Sequence, residues 1–152
     1  MHLVLIAPEI PQNTGSIGRL CVATETRLHL VEPLGFLIDD RHLRRAGLDY
    51  WQHVDLTCHP SWEAFEATRV PGRLLCFAAR AGRSYTAVRY QENDFLVFGG
   101  ESHGLPIGIR DAHADNLCYI PIQSPHVRSL NLATAVAIVL YEARRQLAQD
   151  RA

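Results

Sequence analysis

The chain has 152 residues, of which 47% are hydrophobic and 20% are charged, and its formal net charge at pH 7 is −1. This composition is typical of an ordinary globular protein, and we expect one domain over residues 1–152. It argues against a protein that coats nucleic acid nonspecifically, since such proteins carry a large positive charge. It also argues against a membrane protein, because no apolar run reaches the roughly 18 residues that a spanning helix needs.

Strand-like and helix-like segments alternate along the chain. Residues 2–7 are apolar and lack a basic start, so they indicate a first strand rather than a secretory leader. Further strands are predicted at residues 27–31, 54–58, 74–79, 95–98 and 117–120. Helices are predicted from about Gly15 with Asn13 or Thr14 as N-cap, at 40–46, at 61–68 with Ser61 as cap, and at 131–148. This order predicts an α/β fold with a mostly parallel sheet and helices on both faces.

The last predicted helix is apolar on nearly every face until it reaches Arg144 and Arg145. A helix of this kind has to be covered on more than one side. In a chain this short, a second subunit would supply part of the cover. We therefore expect a homodimer.

The cysteines and histidines argue against disulfides and metal centres. The four cysteines are widely spaced and three have apolar neighbours, so we expect buried free thiols and a cytoplasmic protein. The eight histidines show no metal-ligand spacing, and we expect no metal.

A G-x-S-x-G motif surrounds Ser102 and follows an apolar strand, as in the nucleophile elbow of serine hydrolases. Acidic residues and then a histidine follow it in the matching order: Asp111 or Asp115, and His126. The elbow requires a helix directly after the serine, however, and the glycines and proline at 104–108 disfavour one. A serine hydrolase using Ser102 is therefore an alternative, but not the favoured one.

Two loops at predicted strand ends indicate a ligand site. One is glycine-rich and begins at Gly99, and the other leads to Ser129 and Asn131. Open α/β sheets bind ligands in the crevice outside the carboxyl ends of their strands. Asn13 and Arg19, at the start of the first helix, could reach the same crevice, where an arginine suits a phosphate or a ribose hydroxyl. No G-x-G-x-x-G motif is present, so a cofactor would be held in another way.

Residues 39–51 combine three arginines, Arg41, Arg44 and Arg45, with the aromatic side chains of Tyr50 and Trp51. Guanidinium groups bind phosphates, and aromatic rings stack on unpaired bases, so this segment fits RNA. A solvated amphipathic helix, balanced by aspartates at 39 and 40, fits the same segment equally well.

Three segments together resemble the SPOUT superfamily of RNA methyltransferases. They are N-T-G…R from Asn13, F-G-G-E…G-L-P from Phe98, and I-P-I…S-L-N from Ile120. Residues 8–15 and 43–51 resemble in particular those members that methylate the ribose 2′-hydroxyl of the wobble nucleotide of tRNA, cytidine or modified uridine.

The resemblance implies a C-terminal trefoil knot, the SPOUT fold, and a homodimer with the knots at its interface. It implies that S-adenosylmethionine binds bent in the knot and leaves as S-adenosylhomocysteine. The contacts carried over by position are Phe77, Gly99, Ile120, Ser129 and Leu130.

The resemblance also assigns roles in catalysis and RNA binding. Arg19, Ser129 and Asn13 are the catalytic candidates, with Glu101 and Asn131 expected to support the loops. Arg41, Arg44 and Arg45 would contact the tRNA anticodon stem-loop. A knotted RNA-binding protein without catalysis is a second alternative.

Overall fold

The computed structural model describes residues 1–38, 49–80 and 82–150, and in these ranges seven strands form one sheet. In chain order the strands are β1 (His2–Ile6), β2 (Arg27–Val31), β3 (Leu56–His59), β4 (Leu74–Phe77), β5 (Arg83–Ser84), β6 (Phe95–Gly99) and β7 (Leu117–Tyr119). Their order across the sheet is β3-β2-β1-β6-β4-β7-β5, and each pair of neighbours is parallel. The parallel arrangement agrees with the prediction.

Helices cover both faces of this sheet. The helices α1 (Pro11–Thr24) and α4 (Leu132–Asp150) pack on one face, while α2 (Trp62–Thr68) and α3 (Ile107–Ala112) pack on the other. Because side chains alternate along a strand, Leu3 and Leu5 of β1 lie in the first core, and Val4 and Ile6 lie in the second. Burial of β1 on both faces explains why its residues after His2 are all apolar. The predicted α/β class is confirmed.

The first helix begins earlier than the sequence suggested. It starts at Pro11 with Ile10 in the N-cap position, and no side chain caps it there. Proline is favoured at the first helical position because its fixed φ suits the helix and its missing N–H is not needed there. The predicted cap, Asn13 or Thr14, is therefore wrong, since both residues lie buried inside the first turn.

The last helix is held at both ends. Asn131 precedes it, and its Oδ1 accepts from the backbone N–H of Thr134 over 3.3 Å, which is an N-cap interaction. Further along, the Arg144 guanidinium donates to the carbonyl oxygen of Thr24 over 2.6 Å and so fixes α4 against the end of α1. Between these points Val136, Val139 and Leu140 are fully buried against the sheet.

One α-helix and one strand of the described residues were not predicted. The short helix α3 begins at Ile107, directly after Pro106, although glycine and proline had argued against helix in this region. It is only six residues long, and it packs through Ile109 on the second core. The edge strand β5 has two residues, too few to produce a hydrophobic pattern. The predicted helix at 40–46 lies outside the described residues.

Three histidines on neighbouring strands form a buried row. His2 Nδ1 lies 3.0 Å from His29 Nε2, and His29 Nδ1 lies 3.1 Å from His59 Nε2. The rings stack, and Phe95 and Phe65 pack around them. Burial lowers the pKa of His2 and of His29 to about 4, so both are neutral at pH 7.

The described cysteines are free thiols, as predicted. Cys21, Cys76 and Cys118 are buried and Cys58 is exposed. Burial raises the pKa of Cys21 and of Cys76 to about 12, which keeps both protonated. In the described ranges no helix combines the length and the apolar character that crossing a membrane requires.

Candidate functional site

The strand order brings four loops to one edge of the sheet. β1, β6, β4 and β7 are consecutive neighbours, and all are parallel, so their carboxyl ends lie side by side. The loops that follow them contain residues 7–10, 100–106, 78–80 with 82, and 120–131. This is the edge at which open α/β sheets bind their ligands.

The loop after β6 makes a tight reversal. The backbone N–H of Gly104 donates to the carbonyl oxygen of Gly100 over 2.9 Å. This brings the backbone of Gly104 so close to Gly99 that a Cβ atom on Gly99 would lie 1.9 Å from the Gly104 carbonyl carbon. Only glycine fits at position 99, because any side chain would overlap the Gly104 backbone, and Gly99 itself is buried at the strand end.

Two glutamates bind the loops after β1 and β6 to each other. The Glu101 carboxylate accepts from the backbone N–H of Glu9 over 2.7 Å and from that of Ile10 over 3.1 Å. In return, the Glu9 carboxylate accepts from the backbone N–H of Ser102 over 3.0 Å and from its hydroxyl over 2.5 Å. These two bonds from Ser102 lower the pKa of Glu9, which keeps it ionised. The reciprocal pair fixes the position of one loop relative to the other.

Asn13 joins this pair to the loop after β7. Its Nδ2 donates to Glu101 Oε1 over 3.0 Å, and its Oδ1 accepts from Asn131 Nδ2 over 2.9 Å. Asn13 is only 8% exposed, so its side-chain amide has to find partners inside the protein. Asn13, Glu101 and Asn131, one from each motif segment, therefore form a single network. We call these three residues the amide–carboxylate network.

The remaining cofactor candidates lie on the loops beside this network. Phe77 ends β4, and its ring stacks on Phe98 in the core with the centroids 4.8 Å apart, which leaves its backbone as the part able to bind a ligand. Ile120 follows β7 and packs against the same core. Ser129 and Leu130 come directly before Asn131, and the Ser129 side chain is exposed.

A cavity of about 390 Å³ opens between the loops after β4 and β7. Its lining includes Ala79 and Arg80 from the first loop, and Ile122, Ser124 and Arg128 from the second. Small-molecule sites typically measure about 300–1,000 Å³. The cavity therefore has room for a ligand, but its lining does not include the cofactor candidates Phe77, Gly99, Ile120, Ser129 and Leu130.

Arg19 lies apart from the amide–carboxylate network. It is exposed on α1, six residues after Asn13, which corresponds to about 9 Å along a helix axis. The contact that it makes is with Tyr50, whose ring centroid lies 4.7 Å from the Arg19 Cζ atom. Within one chain, Arg19 is not hydrogen-bonded to Asn13 or to Ser129 in the described part.

Of the arginine-rich segment, only the last residues, 49–51, belong to the described part of the chain. Arg41, Arg44 and Arg45 lie outside the described residues, as do the aspartates at 39 and 40. Trp51 is described, and it is 8% exposed in the first core. The idea that Trp51 stacks on an RNA base is therefore wrong, because a buried indole has no free face.

Sequence reasoning missed the roles of Glu9 and Tyr50. Both depend on a partner that is distant along the chain: Ser102 is 93 positions from Glu9, and Gly15 is 35 positions from Tyr50. The sequence does carry one signal for Glu9: besides Glu101, it is a glutamate beside a predicted site loop, two positions before the helix start at Pro11. Tyr50 was noticed only as a candidate for base stacking.

The geometry does not support a serine hydrolase. The Ser102 hydroxyl donates to the Glu9 carboxylate rather than to a histidine. The residues directly after Ser102 form turns, and α3 begins only at Ile107. Among the described residues there is also no cluster of three or more His, Cys, Asp or Glu that could hold a metal ion.

Comparisons with known proteins show what the whole chain is similar to. The tRNA (cytidine(34)-2′-O)-methyltransferase of Escherichia coli K12 is 47% identical over 148 residues, which cover 97% of this chain and 94% of that protein. A solved structure concerned with the 2-OH methylation of C/U34 on tRNA is 50% identical, with a TM-score of 0.89, and covers 97% of this chain and 96% of its own.

A third comparison bears on the cofactor. The AdoMet-bound rRNA methyltransferase of Sinorhizobium meliloti is 26% identical with a TM-score of 0.78, and the match covers 96% of this chain and 56% of that one. Finally, residues 1–141 match the SpoU rRNA Methylase family over most of the chain, which confirms the resemblance found in the sequence. The chain belongs to the SpoU rRNA methylase family.

Proposed function

We propose that this protein transfers a methyl group from S-adenosylmethionine to the ribose 2′-hydroxyl of the wobble nucleotide of tRNA, a cytidine or a modified uridine. The substrate is inferred from relatives that are 47% and 50% identical over almost the whole chain. The observation that carries the proposal is the amide–carboxylate network, because it gathers three segments far apart in sequence at one ligand-binding edge.

The loops beside the network fit S-adenosylmethionine. The cavity of about 390 Å³ lies between two of them, and backbone N–H and C=O groups at the ends of β4, β6 and β7 would bind the edge of an adenine. The contacts would come from Phe77, Gly99, Ile120, Ser129 and Leu130. When bound, the sulfonium compound supplies an activated methyl group, and the product is S-adenosylhomocysteine.

We also infer that the C-terminal segment forms a trefoil knot. β7 lies beyond β4, away from β1. After β7 the chain has to return past the ends of β4 and β6, because α4 packs against α1 and Asn131 bonds to Asn13. This return across the ends of β4 and β6 supports a chain that passes through one of its own loops. Knotted chains of this kind are rare among protein folds.

The protein's own residues would mainly align and desolvate the 2′-hydroxyl. Alignment contributes roughly 7–11 kcal/mol in well-oriented reactions. A guanidinium stays protonated in proteins, so Arg19 would bind the substrate phosphate and ribose rather than remove the proton. That phosphate, or the exposed hydroxyl of Ser129, would relay the proton towards solvent, and Asn13 would keep the loops in their relative positions.

The tRNA anticodon stem-loop would be bound by arginines. Arg41, Arg44 and Arg45 are the candidates from the sequence. Arg80 and Arg128, on the rim of the cavity, add two exposed guanidinium groups beside the proposed cofactor position. Since the net charge is only −1, these local groups would supply most of the attraction for phosphates.

We infer a homodimer, acting as a single-domain enzyme in the cytoplasm. The outer face of α4 supports the dimer: Ile138 is only partly buried, and Tyr141 is 54% exposed, one turn further along. Apolar and aromatic side chains at helical spacing on an open face are typical of a subunit interface.

The proposal is tested by transfer of tritium from labelled S-adenosylmethionine to tRNA that lacks the modification. The purified protein should label the tRNA, and unlabelled S-adenosylhomocysteine should inhibit the transfer. Binding of tRNA without any incorporation would contradict the proposal, and it would favour a knotted RNA-binding protein without catalysis.

A further inference from the structure

Tyr50 forms a contact with the side chain on which the proposed reaction depends. The Arg19 Cζ atom lies over the Tyr50 ring, 4.7 Å from its centroid, which is within the range of a cation–π interaction. Arg19 is otherwise exposed, and in the described ranges it has no carboxylate partner. Among the residues that the structure describes, Tyr50 is therefore the group that restrains this guanidinium.

Tyr50 is itself fixed against α1. Its hydroxyl donates to the carbonyl oxygen of Gly15 over 2.7 Å, one helical turn before Arg19. The adjacent Trp51 packs so closely on α1 that a Cβ atom at Gly18 would lie 2.5 Å from its ring. The 3-10 helix of residues Asp49–His53 is thus held to α1 by one hydrogen bond and one buried ring.

The contact with Tyr50 leaves the N–H donors of the guanidinium free to bind a substrate. The Cζ atom lies over the ring, and in the described ranges no N–H group of Arg19 donates a hydrogen bond, so its donors stay available for a substrate. An arginine with a restrained plane loses less freedom when it binds a phosphate or a ribose oxygen. A flexible arginine would reach the same oxygen in only a fraction of its conformations.

We propose that Tyr50 is a positioning residue, which holds the plane of Arg19 in the orientation needed to bind the substrate. This inference rests on the proposed role of Arg19. Tyr50 acts through its ring, whereas its hydroxyl serves to seat the ring on α1.

Three variants separate positioning from stability. Tyr50→Leu removes the ring, Tyr50→Phe keeps the ring and removes the hydrogen bond to Gly15, and Trp51→Phe loosens the same segment without touching Arg19. For each variant, kcat, the KM for tRNA, the Kd for S-adenosylmethionine and Tm are measured. The NMR shift of the Arg19 Nε–H group reports directly on whether a ring lies beneath it.

Tyr50→Leu should lower kcat about tenfold, within the range known for misplaced groups, while the Kd for S-adenosylmethionine stays unchanged. It should also remove the ring-current shift of Arg19 Nε–H. Tyr50→Phe should retain most of the rate and the shift despite a lower Tm. Trp51→Phe should lower Tm with little effect on kcat.

Two results would overturn the inference. The first is a wild-type kcat for Tyr50→Leu. The second is a loss of rate in Tyr50→Phe and Trp51→Phe that equals the loss in Tyr50→Leu, which would indicate a structural role. Arg19→Ala, measured in parallel, distinguishes this failure from that of the proposed function. If Arg19→Ala is inactive and Tyr50→Leu is not, only the positioning role fails. If Arg19→Ala keeps its turnover, the role of Arg19 fails as well.

Discussion

The side-chain amide of Asn131 donates to Oδ1 of Asn13 over 2.9 Å, although the two residues are 118 positions apart in the sequence. The same Asn131 caps α4 through its Oδ1, and the same Asn13 donates to Glu101. One short chain of hydrogen bonds thus links the starts of the first and last helices to the loop after β6. The geometry of the proposed site depends on this chain.

Replacing Glu101 with glutamine should loosen the site. Glu101 accepts from two backbone N–H groups and from Asn13, and an amide offers only one accepting oxygen. We expect Glu101→Gln to lose about 1.5–3 kcal/mol of unfolding free energy, because hydrogen bonds to a charged group contribute about that much. Denaturant unfolding measures this loss, and exposed Asp111→Asn is the control. Equal stabilities of the two variants would contradict the role of Glu101.

A methyl group at Gly99 should be far more harmful than one at Gly108. The added Cβ at Gly99 would overlap the backbone of Gly104, which cannot move without opening the loop. Gly99→Ala should therefore cost about 1–3 kcal/mol or more. Gly108 lies in α3 with open space around its Cβ position, so Gly108→Ala should stabilise by about 0.4–1 kcal/mol. The two melting temperatures test the contrast directly.

The two loop serines should differ in their importance for turnover. Ser102 bonds to Glu9 and lies outside the proposed chemistry, so Ser102→Ala should keep most of the methyl transfer and lose about 0.5–1.5 kcal/mol of stability. Ser129→Ala should lower kcat, because its exposed hydroxyl is a candidate for relaying the proton. Steady-state kinetics compare the pair. Loss of all activity in Ser102→Ala, with esterase activity in the wild type, would restore the hydrolase hypothesis.

Arg19→Ala should abolish methyl transfer while leaving the binding of S-adenosylmethionine intact. The proposed cofactor contacts lie on other loops, so the binding heat measured by calorimetry should not change. Arg27→Ala is the matched control, because Arg27 is also an exposed arginine and its ion pair with Asp55 is solvent-exposed. Such pairs contribute about 0–1 kcal/mol, so this variant should be fully active. Normal turnover in Arg19→Ala would remove Arg19 from the mechanism.

Acid should destabilise the fold through the row of histidines. Burial, together with the positive charges of the N-terminus and Arg27, lowers the pKa of His2 from 6.5 to about 4, and burial likewise lowers that of His29 to about 4. Between these pH values the unfolded chain binds more protons than the folded one, so stability is complete above pH 6.5 and falls as the pH drops towards 4. Each such histidine adds up to about 1.4 kcal/mol per pH unit.

Denaturant unfolding at several pH values checks this slope. His29→Phe should show a shallower dependence below pH 6.5, although it is less stable at pH 7. His126→Ala, a change at an exposed loop histidine, should keep the wild-type slope. A slope that does not respond to His29→Phe would assign the acid sensitivity to other groups.

The sequence predicted the fold better than it predicted contacts. Apolar runs of four or five residues, such as those of β4 and β6, have few alternatives to buried parallel strands, and the Ser61 cap of α2 is a local interaction. The start of α1 was misplaced because Pro11 and the burial of Asn13 outweigh the usual capping preference. The helix α3 was missed because packing of Ile109 overrides a poor local propensity.

For the site, the sequence named the motif residues but not how they are joined. Asn13 and Glu101 could be singled out by their motifs, whereas the reciprocal bonds of Glu9 and Ser102 exist only once β1 and β6 are neighbours. The same holds for Tyr50, whose ring reaches Arg19 because Trp51 packs on Gly18. Contacts of this kind depend on the order of strands, which no local pattern encodes.

Mapping of the methylated nucleotide tests the central claim most directly. tRNA lacking the modification is incubated with the protein and S-adenosylmethionine, and the digested product is then analysed by mass spectrometry. We predict one added methyl group, on the ribose of nucleotide 34. A methyl group on a base, or on the ribose of any other nucleotide, would contradict the account.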